Sequence, residues 1–183
     1  MAMSLPERIR PLRRVEYDQL IALGAFQDEK IELLDGVLVP MSPIGPPHSS
    51  TVQKLTLLLV RALGDRTAIR PGLPLAALEH SEPEPDLVVA PLSDYDTAHP
   101  GEADLVIEVA DSSLKQDRGI KRRIYAECGV PEYWIVNLVD RRIEVYTDPE
   151  GKTYRSEAYY VRGHSIRLVR FPDVLVRVED VLK

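Results

Sequence analysis

Two acidic residues stand inside apolar stretches of this chain, Asp86 in EPEPDLVVA and Glu108 in DLVIEVADSS. Leu105, Val106, Ile107 and Val109 mark the second stretch as a buried strand. A lone ionised carboxylate there costs several kcal/mol or more unless something neutralises it. Side chains alternate along a strand, so Asp86, Val88 and Ala90 share one face, as do Asp104, Val106, Glu108 and Ala110. If the two strands pair, Asp86 and Glu108 converge. Carboxylates about 4 Å apart repel by roughly 4 kcal/mol at an effective dielectric of about 20. Such a pair must share a proton, meet a cationic side chain, or bind a metal. Carboxylate oxygens and water are the ligands that Mg²⁺ and Mn²⁺ prefer. A metal site and an internal salt bridge are both open at this point.

The segment DRGIKRRIYAECG, residues 117–129, reads as a helix. Asp117, Lys121 and Tyr125 share one of its faces at i, i+4 and i+8, while Ile120, Ile124 and Cys128 form the expected core stripe. A lysine facing the two carboxylates could position an attacking water or stabilise charge growing on a phosphate. The same geometry would serve a salt bridge. Glu79, Glu82 and Glu84 form an acidic run beside Asp86, read as solvated, with Glu84 close enough to approach a metal. His80, His99 and His164 have no metal-ligand spacing.

The elements that must position these groups follow from the pattern. Residues 15–23 suit a short helix ended by Gly24. KIELLDGVLVPMS carries Asp35-Gly36 between two apolar runs, a hairpin signal. From 47 to 66 the pattern is helical, with Val52, Leu55, Leu58, Leu59 and Ala62 as its apolar stripe. Strands are predicted at 67–70, 73–79, 85–90 and 104–110. After the helix at 117–129 come strands in EYWIVNLVDRRIEVYT, EAYYVR and SIRLVRF, and a last helical turn in VEDVLK. This order belongs to an α/β (mixed α+β) domain, and 183 residues are read as one domain, 1–183.

Composition narrows the function. The chain carries 29 acidic and 23 basic residues, a net charge of −6. A purely electrostatic nucleic-acid binder is therefore excluded, since it needs a basic chain. An enzyme acting on nucleic acid through local basic patches is not excluded. Two patches exist: Arg8, Arg10, Arg13 and Arg14, then Lys115, Arg118, Lys121, Arg122 and Arg123. A single cysteine, Cys128, rules out an internal disulfide framework and a cysteine-based zinc site. No apolar run approaches the roughly 18 residues of a membrane span. The opening MAMSLPERIRPLRR lacks the apolar core of a secretory signal, so a cytoplasmic location is expected. Tyr146, Tyr154, Tyr159, Tyr160 and Phe171 could supply an interface or finish the core.

Taken together, PEPDLVV, LVIEVADSS and DRGIKRRIYAECGVPEYWIVN resemble the putative restriction endonuclease family of small bacterial proteins, part of the PD-(D/E)xK nuclease superfamily. KIELLDGVLVPMSPIGPPHSSTVQKL adds an acidic hairpin, a Met-Ser-Pro turn and a histidine at a helix start. The resemblance implies a restriction-endonuclease-like core: a central mixed β-sheet flanked by helices, an N-terminal helix and hairpin, and a β-rich C-terminal part. It implies a Mg²⁺- or Mn²⁺-dependent nuclease hydrolysing phosphodiester bonds, in DNA. Asp86 and Glu108 would ligate the metal, and Glu32 would complete its shell or orient a water. The chain departs from the superfamily pattern at Ala110, where ExK has its lysine. The small bacterial family places that lysine on the following helix, which points to Lys121, with Lys115 as competitor. His48, Tyr125 and Asp117 are expected to line the pocket, and Arg118, Arg122 and Arg123 to contact flanking phosphates. A homodimer is expected, because cutting both strands needs two sites. Two rival readings stand beside this one. The first is a non-catalytic nuclease-fold protein serving as a DNA-binding or protein-interaction module, favoured by the acidic charge and the missing ExK lysine. The second is a carboxylate-metal hydrolase of small phosphorylated molecules, which a closed pocket would mark.

Overall fold

A computed structural model describes residues 10–182; Arg8 of the first basic patch lies outside them. The chain runs through α1 (Arg14–Ala22), β1 (Ile31–Leu34), β2 (Val37–Pro40), α2 (Pro46–Leu63), β3 (Thr67–Pro71), β4 (Leu87–Pro91) and β5 (Leu105–Ala110). It continues through α3 (Leu114–Gln116), a π-turn (Asp117–Lys121), α4 (Arg122–Glu127), β6 (Glu132–Asn137), β7 (Arg142–Glu150), β8 (Thr153–Tyr160), β9 (Ser165–Arg167), β10 (Leu175–Arg177) and α5 (Val178–Val181). Strands β3 to β8 form one mixed sheet in sequence order, and only β5 and β6 pair in parallel. The expected mixed sheet with flanking helices is present.

Alternation along the strands divides the core in two. Leu87, Val89, Leu105, Ile107 and Val109 pack with Leu55, Leu59 and Leu63, which recur every four residues along α2. Each fully buried leucine contributes about 1.5–3 kcal/mol. Pro46 and Pro47 suit the first turn of α2, where no N–H is needed, and Gly64 at φ 55° ends it. On the other face Val88, Ala90, Val106 and Ala110 pack with Ile124, Tyr125 and Ala126 of α4. Glu108 lies on this second face, between Val106 and Ala110. Tyr146 and Tyr154 complete that core, whereas Tyr159 is half exposed.

The β1–β2 hairpin turns at Asp35 and Gly36, both at positive φ (51° and 76°), as a two-residue hairpin of this type requires. A side chain on Gly36 would collide with Pro11, so glycine is fixed there for a second reason. The hairpin matters because β1 carries Glu32 into the interior.

Two expectations need correction. Residues 73–79 are not a strand. Pro74 has no N–H to donate inside the segment, and Pro71 closes β3 just before it. The segment instead spends its donors singly, Leu75 N–H to Pro83 O at 3.0 Å and Ala76 N–H to Pro100 O at 2.8 Å. The helix expected over 117–129 begins at Leu114 and contains the π-turn. Of the expected core stripe Ile124 is fully buried, while Ile120 and Cys128 are only partly so, and Asp117, Lys121 and Tyr125 are buried as well. Among the described residues no helix is long and apolar enough to cross a membrane.

Glu82 ties the irregular segment to β1 by paired backbone bonds with Leu33. Burial, reinforced by Asp18 and opposed by Arg14, pushes its carboxyl from the usual 4.5 to about 7. The folded chain therefore holds this proton in a range where the unfolded chain has lost it, and stability declines as pH rises from about 4.5 to about 7. Glu82→Gln should stabilise the protein at pH 8 by about 1–2 kcal/mol and leave it nearly unchanged at pH 5, as read by urea denaturation at both values.

Candidate active site

Leu87 and Ile107 are the last paired residues where β4 meets β5, so Asp86 and Glu108 occupy the next register position on the same face. Pro85 ends the strand. In place of a further ladder bond, the Asp86 carboxylate takes the N–H of Val109 on Oδ2 at 2.7 Å. The same oxygen accepts His48 Nε2–H at 3.0 Å from the first turn of α2. Donation to Asp86 holds His48 more readily protonated than usual, against the opposing effect of burial. Oδ1 of Asp86 takes no hydrogen bond among the described residues.

Glu108 is 4% exposed. Its Oε1 accepts the Tyr125 hydroxyl at 2.6 Å and the Lys121 ammonium at 3.0 Å. Lys121 also meets Glu32 Oε2 at 3.1 Å. Glu32 takes two further protein donors, Gln116 Nε2–H on Oε1 at 2.9 Å and Glu84 N–H on Oε2 at 3.1 Å, besides the lysine. Burial alone would strip the proton from Lys121. Glu108 and Glu32, with Asp117, outweigh it and hold the ammonium charged. Burial pushes the Glu108 carboxyl well above the ordinary range; Lys121 opposes this, and Asp117, Asp86 and Glu32 add to the rise. Burial likewise lifts Asp117 to about 6, with Lys121 and the Ser113 hydroxyl opposing.

These groups line a cavity of about 650 Å³ that is open on one side. Six carboxylates reach it (Glu32, Glu84, Asp86, Glu108, Asp111 and Asp117) against two lysines, Lys115 and Lys121. Such an excess of hard oxygen donors suits a divalent cation, and the free oxygen of Asp86 is available to it. Among the described residues no three His, Cys, Asp or Glu side chains are grouped to hold a metal. Mg²⁺ does not need three, because it binds through one or two carboxylates and keeps several waters. The residues fit that ion.

Asp86, Glu108, Lys121 and Glu32 are thus brought together, and His48 and Asp117 line the same cavity. Tyr125 does not; it is wholly buried behind Glu108 and reaches only its carboxylate. Arg118, Arg122 and Arg123 also lie away from the cavity lining. Arg118 binds Glu144 at 2.8 Å, Arg122 stacks 5.3 Å from the Tyr146 ring centre, and Arg123 pairs with Asp35 and Glu127. They stand off the helix face that carries Lys121 inward. Sequence reasoning missed Gln116 and the Val109 N–H, whose roles depend on the π-turn and on where a ladder ends. Lys115, the competitor of Lys121, lies in α3 on the cavity wall.

A family model described as putative restriction endonuclease (Uma2) matches residues 14–179. The fold is similar to the crystal structure of a putative nuclease belonging to DUF820 from Anabaena variabilis ATCC 29413. The TM-score is 0.74 at 13% identity, with 93% of this chain and 97% of that chain covered. At that identity the likeness concerns the fold. No curated protein matches the chain.

Lys121 is the single cation between two buried acids. Lys121→Met should lower the unfolding free energy by about 3–5 kcal/mol in urea titrations at pH 8, the cost of leaving buried charges unpaired. Adding Glu108→Gln, which keeps an acceptor for the Tyr125 hydroxyl, should recover part of that loss.

Proposed function

The chain belongs to the Uma2 family of restriction-endonuclease-like proteins, and from that premise we propose that it is a divalent-metal-dependent nuclease hydrolysing phosphodiester bonds in DNA. The observation that carries this reading is the meeting of Asp86 and Glu108, one register position past the last β4–β5 pair, in an open cavity crowded with carboxylates. Asp86, through its free Oδ1, and Glu108 would hold Mg²⁺ or Mn²⁺. A bound ion of this kind lowers the pKa of water and neutralises charge on a phosphate.

The remaining roles belong to the chain's own groups. His48 and the Val109 N–H fix Asp86 through one oxygen and leave the other directed to its task. Lys121, paired with Glu108 and Glu32, would act as a cation and hydrogen-bond donor. It orients water or meets charge developing on the phosphate from within the cavity. Glu32, itself anchored by Gln116 and the Glu84 N–H, holds Lys121 in place, a role that engages both of its oxygens. Lys115 on the cavity wall, in place of Arg118, Arg122 and Arg123, is positioned to meet a flanking phosphate. Double-strand cleavage would take two copies of this site, which a homodimer supplies.

A second reading has one observation in its favour. Lys121 bridging Glu32 and Glu108 satisfies those acids without any metal, as in a non-catalytic protein keeping the fold for binding DNA or another protein.

The two readings separate on incubation of purified protein with supercoiled plasmid and with single-stranded DNA. Cleavage should need Mg²⁺ or Mn²⁺ and stop with EDTA. Asp86→Asn and Glu108→Gln should each reduce the rate by about a hundredfold or more; Asp86→Asn should melt within a few degrees of wild type, whereas Glu108→Gln should also lose stability with its ion pair to Lys121. Failure to cut either DNA with either ion would remove the enzyme and leave the binding module.

A further inference from the structure

Asp117 is 1% exposed and is held from three directions. Its carbonyl accepts Arg122 N–H across the π-turn and the Tyr133 hydroxyl at 3.2 Å. Its carboxylate accepts the Ser113 hydroxyl on Oδ2 at 2.6 Å. Oδ1, by contrast, is buried with no partner among the described residues. A buried acceptor left without a donor carries its full desolvation cost, and native structures rarely tolerate one without a reason. The nearby ammonium does not supply one, since Lys121 forms its ion pairs with Glu32 and Glu108.

The backbone at this point is itself unusual. A helix that could run in α geometry from 114 to 127 widens into a π-turn over Asp117–Lys121, the two residues of that turn that are buried. Such turns are rare and concentrate at functional sites. Capping or helix stability would account for the Ser113 bond to Oδ2. Neither accounts for a second, unpaired oxygen on a residue that lines the cavity together with Asp86 and Glu108.

We infer that Asp117 is a positioning residue for the divalent ion of the site: Oδ1 accepts a hydrogen bond from a water carried by the ion, while Asp86 and Glu108 are its direct ligands. The inference rests on the metal-dependent reading above. An ion bound by only two carboxylates retains several waters, whose O–H groups need acceptors. A carboxylate already fixed through its other oxygen provides one with little reorganisation. Partners that act on a metal at one remove typically shift its affinity by about 10–100-fold.

Calorimetric titration of the full chain with MnCl₂ tests this without reference to activity. Asp117→Asn should weaken Mn²⁺ binding by about 10–100-fold. Ser113→Ala, which frees the carboxylate to turn, should weaken it by a smaller factor, about threefold, and both variants should melt near wild type in EDTA. Wild-type affinity in both variants, with binding lost in Asp86→Asn, would overturn the role of Asp117 and leave the metal site standing. No binding by the wild-type chain, or undiminished binding by Asp86→Asn, would overturn both. If Asp117→Asn fails to fold, unchanged affinity in folded Ser113→Ala suffices to reject the role.

Discussion

One ammonium group holds two buried acids in register. Lys121 reaches Glu32 on a hairpin and Glu108 on a central strand at about equal distance, 3.1 and 3.0 Å. The hairpin, the sheet and the helix after β5 therefore meet at a single charge. Well-packed hydrocarbon in place of such a group is often as stable or more so, whereas removing one member alone is severely destabilising. A fold that keeps this arrangement is constrained by it everywhere nearby. The hairpin must turn where Gly36 lets it, and the helix must present Lys121 inward.

The two cores make that constraint affordable. Leucines of α2 and the odd-numbered side of β4 and β5 form a dry layer that contains no member of the charged group. The group around Lys121 lies on the opposite face, at the end of the β4–β5 ladder, where the strands stop pairing and backbone donors become free for side chains. The Val109 N–H bound to Asp86 is such a donor. The same strand ending that opens the cavity also fixes its first carboxylate.

Much of this was legible in the chain. Alternation in LVIEVA and PDLVV placed Asp86 and Glu108 on one face, and the observed register, Leu87 opposite Ile107, makes them neighbours. Asp35-Gly36 announced the hairpin through backbone chemistry alone. Other features were not legible, for identifiable reasons. Residues 73–79 alternate weakly enough to imitate a strand, yet their backbone donors are claimed one at a time, by Pro83 and Pro100 and by the nearby Leu75 and Ser81. The π-turn leaves no mark on apolar spacing, so the start of the helix and the placement of Gln116 were hidden. Arg118 was read as free because its partner, Glu144, lies in the interior on β7, a contact between segments 26 residues apart.

The cavity also bears on how an acidic protein could take a polyanion. With six carboxylates against two lysines, one of them committed to Glu32 and Glu108, the field inside repels phosphate. On the proposed reading a divalent cation is needed before any chemistry begins, because without it the substrate's own charge keeps it out. The chain's net charge of −6 points the same way: it supplies no overall attraction for DNA. Recognition must then be short-range, made at the cavity by the ion and the lysine on its wall. A buried, fixed ammonium fits that arrangement better than a mobile surface lysine would, since its charge is already oriented and little screened by salt.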